Sequence, residues 1–380
     1  NAISINRQPD NRGNGASSHN NNTTCEPSRF ILGSSPGTYD TVKLTTPLFG
    51  VNDIKHPDDW KIGSGTTWSE VANGQIPSLQ KRLYIDYKGE ETEPGNHVTT
   101  IGFDYSPSWG LSVTIPSAPS FLYGNALLPL TPDDVKPWME ATHQVVDRHV
   151  HTDLDTFRVS RLDSSTLFNV DEPVAAYIGL FNSTTGAKQR RTNKKYYENE
   201  TVQFANKSQA VGFYDKHAKE EHRGLLGIDS NMNLLRFEVQ KKIRSSVRSA
   251  YGGLVFLDLG KEEIIKKTIE QRLKAFNMFF PFDENREEVK EFNNQLNLFQ
   301  AMKVDGQRNH VNNFIKALAL RNGSITIDQI DLMMRLEGYS PQYINRHNKQ
   351  LRDIEAMWID SKNLYEEVRT LIQTELKAVA

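Results

Sequence analysis

Cysteine is almost absent from this 380-residue chain: the single thiol, Cys25, cannot close an internal disulfide, and no Cys/His spacing suggests a zinc site. No apolar run approaches the roughly eighteen residues of a membrane-spanning helix, so no contact with a membrane is expected. Residues 1–40 have no apolar stretch behind basic ones, which argues against an ordinary signal peptide. No phosphate-cradling P-loop motif occurs. Net charge is nearly absent as well, at -2, and by itself does not mark a nucleic-acid binder. With 37% hydrophobic residues and a mean hydropathy of -0.58 the chain reads as polar, soluble and cytosolic. Its length is enough for a sizeable core and two or three domains.

The charge that is present is unevenly spread. Between Gly186 and Arg248 there are 14 Lys/Arg against 7 Asp/Glu, so the middle is basic and the remainder acidic. Any phosphate contact is thereby localised to the middle. A solvated, lysine-bearing loop is the plainer reading of the same numbers.

Residues 1–38 are dominated by Asn, Ser, Gly and Arg and are expected to form a disordered tail, because they bury too little apolar surface to offset chain entropy. Period-two alternation predicts a strand over 39–45, three more between 80 and 116, one over 156–163 and one over 233–240. A hairpin is expected from 200–205 and 209–214, joined by Asn206-Lys207-Ser208. Helices are expected over 131–150, with an N-cap in its Thr-Pro-Asp-Asp start, and from about Asp171. Beyond Lys261 the pattern turns helical, which puts a boundary at about 257 between a strand-rich domain (39–257) and a helical one (258–380).

Three strand-borne segments carry residues of chemical interest. In Arg158–Asp163, alternation places Arg161 and Asp163 on one face and Leu162 on the other. In Leu235–Val239, Arg236 and Glu238 share a face opposite Leu235, Phe237 and Val239. Two such strands in one sheet can present paired carboxylates to a hard divalent cation, Mg²⁺ or Mn²⁺. A ladder of exposed cross-strand salt bridges is the other reading, and it would contribute little stability. In the third segment, Val211–His217, Phe213 faces the core, so Tyr214 faces out beside Gly212, whose missing side chain is expected to leave room beside the hydroxyl, with Lys216 two residues on along the same face. A phenol attacking a phosphodiester needs its charge neutralised and the phosphate polarised, and a lysine with a metal supplies both.

In this order and spacing, VSRLDSS (159–165), ETVQFANKSQAVGFYDKH (200–217) and LLRFEVQKKIRSSVRSAYG (234–252) resemble the gene II replication initiators of filamentous phages, which are similar in turn to the Rep-type rolling-circle initiators of small plasmids. The opening YDTVKLTTPLF also fits, and the likeness spans about residues 39–255. It implies an α+β, relaxase-like catalytic domain with a largely antiparallel sheet, followed by an α-helical C-terminal domain. It further implies a metal-dependent nickase that starts rolling-circle replication through a 5′-phosphotyrosine. Matched by position, Tyr214 is the nucleophile and Lys216 its helper. Asp163 and Glu238 are the metal-binding acids, and His217 is a third ligand or a DNA contact. The implied partners are single- and double-stranded origin DNA, a host helicase and polymerase, and a second copy of the chain, in a bacterial cytoplasm. A non-catalytic origin-binding regulator of the same fold is the rival from another class.

Lys188, Arg190, Arg191, Lys194 and Lys195 form a basic loop ahead of the hairpin, suited to DNA backbone contacts that weaken with salt. Tyr196 and Tyr197 offer stacking surfaces or are half-buried strand aromatics. Thr326–Glu337, Gly338 and Ser340-Pro341 read as helix, turn, helix, with Arg346 and Lys349 exposed on the second helix toward DNA, or as a plain two-helix packing unit. His149-Val150-His151 matches the His-hydrophobe-His metal motif of the broader relaxase class. The gene II relatives have no histidines at this place, so exposed loop or strand-start residues are expected.

Overall fold

The computed structural model describes residues 36–63, 74–86, 90–95, 97–124, 128–184, 192–197, 200–221, 232–283, 285–286, 288–290, 292, 326–356 and 361–379. The expected tail therefore lies outside the described residues except for Pro36–Thr38, and these three are buried.

Among the described residues eleven strands form one sheet: β1 (Tyr39–Thr46), β2 (Lys61–Ile62), β3 (Leu79–Ile85), β4 (Glu91–Thr92), β5 (Thr99–Ser106), β6 (Gly110–Ile115), β7 (Arg158–Asn169), β8 (Asn193–Tyr197), β9 (Thr201–Ala205), β10 (Gln209–Asp215) and β11 (Leu234–Lys241). Their order is β2-β3-β5-β6-β1-β7-β11-β10-β9-β8, with β4 on β3. Every strand pairing among the described residues is antiparallel. The helices are α1 (Ala118–Tyr123), α2 (Val135–Asp147), α3 (Val174–Ser183), α4 (Lys216–Glu221), α5 (Arg244–Tyr251), α6 (Glu262–Phe279), α7 (Ile327–Leu336), α8 (Pro341–Ala356) and α9 (Ser361–Ala378). The fold is thus mixed α+β on an open antiparallel sheet. No helix among the described residues is long and apolar enough to cross a membrane.

Alternation sorts each strand into an apolar and a polar face. The apolar residues of β1, β3, β5 and β6 pack on α1, α2 and α5 through Phe121, Trp138 and Val247. Those of β9, β10 and β11 pack on α3, α6 and α9 through Phe181, Phe276 and Val368. In the second cluster the cross-strand pair Phe213 and Phe237 stacks at 4.5 Å, and Phe181 of α3 covers Phe213 at 4.2 Å. Such ring pairs contribute about 0.5–1.5 kcal/mol each beyond the area they bury.

The expected hairpin is present, turned by Asn206, whose Oδ1 accepts from the N–H groups of Ser208 and Gln209. At the start of α2 the expected side-chain cap is missing, because the Asp134 carboxylate is taken by the hydroxyls of Tyr123 and Thr131. The strand expected over 156–163 runs on to Asn169. Residues 193–195, expected as the end of a basic loop, instead form the edge strand β8 together with Tyr196 and Tyr197.

The change in pattern near residue 257 is not a break in the core. All described residues belong to one compact unit, and α6 and α9 close over the same sheet as α3. One carboxylate ties this together. Glu375 of α9 pairs with Arg272 of α6 at 3.0 Å, accepts from the Gly37 N–H at 3.3 Å, and takes the hydroxyl of Thr166 in β7. Arg272 also donates to the Gly37 carbonyl at 2.6 Å. By contrast α7 and α8 share a small core of Ile330, Met334 and Ile344. Thr326 caps α7, Gly338 turns with φ +84°, and Ser340 accepts from Tyr343 at the start of α8.

Removing one partner of a buried pair leaves the other charge uncompensated, at about 3–5 kcal/mol. Glu375→Ala should therefore lower unfolding stability by about that amount in urea titration. Glu366→Ala, which breaks an exposed pair with Arg369, should change it by less than about 1 kcal/mol.

Candidate functional site

The polar face of the sheet carries the site, and its residues fall into cross-strand rows. One row runs Tyr197 (β8), Thr201 (β9), Tyr214 (β10), Arg236 (β11), Leu167 (β7). The next runs Lys195, Gln203, Gly212, Glu238, Ser165, and the third ends in Gln240 and Asp163. Tyr214, Asp163, Glu238 and Lys195 therefore share one face, as alternation predicts.

At the centre lies a network of charges. Arg161 Nε and Nη2 grip both oxygens of Asp163 at 2.5–3.1 Å, and Asp163 is only 1% exposed. Asp40 joins from β1, where a bulge between Tyr39 and Val42 turns it onto the polar face. Its carboxylate meets Arg236 Nη2 at 2.9 Å, and the same nitrogen donates to Ser165 Oγ at 2.7 Å. Glu238 accepts from Gln240 Nε2 at 3.0 Å.

Burial pushes the Asp163 carboxyl up from 3.8 to about 7; the Arg161 guanidinium opposes this, while the charges of Glu238 and Asp40 add to it. Arg236, although buried, is held further above its ordinary value by Tyr214, Asp40 and Glu238. Lys242 is lowered first by burial and then by the charge of Arg161, with Lys195 acting in the same sense. Cations and carboxylates are thus interleaved on one surface.

Tyr214 is half-buried, with Lys219 Nζ 4.3 Å from its ring centroid and the Arg236 guanidinium carbon 5.9 Å away. Lys219 comes from α4, which begins immediately after β10. Asp215 caps that helix by accepting from the Ala218 N–H at 3.0 Å, which gives it a structural role. Two expectations are corrected here. Lys216 is not displayed beside Tyr214: it opens α4 and is buried, 2% exposed, so Lys219 is the lysine over the ring. Gly212 does not leave room beside the hydroxyl. A Cβ there would sit 2.5 Å from the Val202 carbonyl oxygen and 2.8 Å from Gln203 Cα, so glycine is needed for β9 to approach.

The metal set expected from Asp163, Glu238 and His217 does not fit this geometry. Both Asp163 oxygens are taken by Arg161, Glu238 is engaged by Gln240, and His217 lies on α4 beyond the strand. Among the described residues, the group of three whose ligand atoms all lie within 4.8 Å is His143, Asp153 and Asp155, which draws nothing from the Tyr214 face. His149 and His151 are not in it. His149 is bonded to Glu91 at 2.8 Å and its pKa is lowered by burial, while His151 is exposed.

Of the expected DNA contacts, Lys188, Arg190 and Arg191 lie outside the described residues. Lys194 pairs with Phe204 across the strands, toward the apolar side, and donates to the Asn182 carbonyl at 3.0 Å, so it does not share the Tyr214 face. Lys195 does. Tyr196 and Tyr197 are exposed rather than half-buried. Arg346 and Lys349 are exposed on α8, Arg346 lying 5.3 Å from the Tyr343 ring. Sequence reasoning missed Asp40, Ser165, Lys219 and Lys242. Only Lys219 left a signal, at helical spacing from Asp215. The chain matches no protein-family model and no curated protein.

Between about pH 4 and pH 7 the folded chain holds a proton on Asp163 that the unfolded chain has released. The resulting stability is complete below pH 3.8 and is lost as pH rises through about 7. Urea midpoints in chelator should therefore fall across this window in the wild type relative to Asp163→Asn, which keeps a neutral side chain throughout.

Proposed function

We propose that this protein nicks and rejoins DNA through Tyr214, in the manner of a rolling-circle replication initiator with a relaxase-like sheet. The observation that carries the reading is the setting of Tyr214. It stands on the polar face of its strands, with Lys219 of α4 and Arg236 around its ring and Lys195 and Lys242 among the neighbouring charges. Those cations suit a polyanion crossing the face and would stabilise charge that develops on the phosphate.

In the proposed step the phenolic oxygen of Tyr214 attacks phosphorus and loses its proton to solvent. The bond from phosphorus to the 3′ oxygen breaks, and that oxygen takes up a proton. The product is a 5′-phosphotyrosine and a free 3′ hydroxyl able to prime synthesis. Joining reverses the exchange: a 3′ hydroxyl attacks and tyrosine leaves. The number of phosphoester bonds is unchanged, so no nucleotide hydrolysis is required.

Lys219 is the exposed neutralising group in this reading, Arg236, as buried as Lys216, acts by its charge on the Tyr214 phenol, and Lys216 and His217 position α4 rather than touch the phosphate. The α7–α8 pair, with Arg346 and Lys349 outward, is the element proposed to hold double-stranded origin DNA. A host helicase and polymerase, a second copy of the chain and the bacterial cytoplasm belong to the same proposal.

Wild type and Tyr214→Phe should be incubated with 3′-labelled single-stranded origin DNA and with supercoiled origin plasmid, in Mg²⁺, in Mn²⁺ and in chelator. The expected result is covalent protein on the new 5′ end for the wild type and none for the variant. Labelling retained in chelator would assign charge neutralisation to the arginine and lysine. Labelling confined to the metal reactions would require the carboxylates to leave their arginines. Equal labelling of both proteins would move the nucleophile away from Tyr214. Binding without cleavage by either protein would favour the origin-binding regulator.

A further inference from the structure

A second cationic feature lies away from Tyr214. A cleft of about 490 Å³, within the roughly 300–1,000 Å³ of small-molecule sites, is lined by Arg158, Arg244, Arg248 and the backbone of Gly252 and Gly253. Arg158 opens β7, whereas Arg244 and Arg248 stand one turn apart on α5 and so on one face of that helix. The two elements are locked together beside the cleft. The Val159 N–H donates to the Leu254 carbonyl at 3.0 Å, and Arg158 bridges Val255.

All three arginines are exposed, and among the described residues no acid lines the cleft. Among the described residues none of the three has a hydrogen-bond or ion-pair partner for its side chain. This differs from the Tyr214 face, where Arg161 and Arg236 are matched by carboxylates. Three like charges that converge on one space repel each other until an anion enters. Gly252 has φ +95°, and a Cβ on either glycine would meet nothing within 4 Å, so the loop borders open volume.

We infer that this cleft binds phosphate groups. Guanidiniums match phosphate oxygens in a bidentate fork, and a tri-arginine wall with no carboxylate selects a multiply charged anion over a carboxylic acid. The ligand is either a free polyphosphate or the phosphate backbone of a nucleic acid. Nine residues of β7 separate Arg158 from the Tyr214 row at Leu167, roughly 30 Å of strand, so the cleft is not part of the tyrosine site. The inference does not rest on Tyr214 being a nucleophile.

The test uses the full chain and two probes: inorganic tripolyphosphate followed by calorimetry, and a labelled single-stranded 30-mer followed by anisotropy at several salt concentrations. The variants are Arg244→Glu with Arg248→Glu, and separately Arg158→Gln, which changes a different element. A charge-matched control, Lys136→Glu with Arg148→Glu, alters exposed residues outside the cleft. Thermal unfolding checks that each variant folds.

Loss of tripolyphosphate affinity by tenfold or more in both cleft variants, but not in the control, supports the inference. If the 30-mer also weakens, with a shallower salt dependence, the ligand is a nucleic-acid backbone. If the 30-mer is unaffected, the ligand is a free polyphosphate. Unchanged binding of both probes, or equal losses in the control, overturns it. None of these outcomes alters tyrosyl labelling of a short oligonucleotide confined to the nick, so the two proposals fail separately.

Discussion

The display of Tyr214 depends on a stack of rings on the other side of its strand. Phe213 and Phe237 are directly opposed across β10 and β11 and are covered by Phe181, Phe276 and Phe280. Fixing these two rings inside fixes their neighbours outside: Tyr214, Arg236, Glu238 and Gly212 have no other face to occupy. A slip of one residue would bury a phenol, an arginine and a carboxylate and expose the rings. Burying an unpaired ion is far more unfavourable than any local strain saved, so register and site are enforced together.

The polar face is itself half-buried, and this changes what its charges do. Arg236 and Asp163 are almost wholly excluded from solvent and would be strongly unfavourable alone. They persist because Arg161 grips Asp163, Asp40 and Ser165 accept from Arg236 Nη2, and the nearby charge of Glu238 favours the guanidinium. The network has three carboxylates, of which Asp163 is pushed toward neutrality at ordinary pH. Its cations are thus only partly compensated by the carboxylates beside them.

Where local pattern decides structure, the sequence was readable. β1, the β9–β10 hairpin and β11 alternate plainly, and Asn206 has the side chain an Asx turn requires, so the common face of Asp163, Glu238 and Tyr214 could be named in advance. Where distant contacts decide, it was not. Nothing around Glu375 says that its carboxylate will meet Arg272, Gly37 and Thr166, so α9 read as part of a separate helical domain. Asp40 faces the site only because of a bulge that composition does not mark. In β8 both faces are polar, so Lys194 and Lys195 looked equivalent, although pairing with β9 sends them to opposite sides. Lys216 was misplaced because alternation was carried past the end of the strand at Asp215, whereas Lys216 opens a helix and is buried.

The same topology explains why the two arginine groups differ. Arg236 lies within β11, paired on one side with β10 and on the other with β7 and only 2% exposed, where an uncompensated cation could not be hydrated, and Arg161, near the start of β7, supplies the counter-charge of the buried Asp163. Carboxylates must therefore be built in beside them. Arg158, Arg244 and Arg248 sit where β7 begins and where α5 leaves the sheet, and water reaches all three. Among the described residues their side chains have no counter-ion, and hydration offsets their mutual repulsion. Depth in the sheet decides which arginines carry an internal counter-ion and which are left to recruit one from solution.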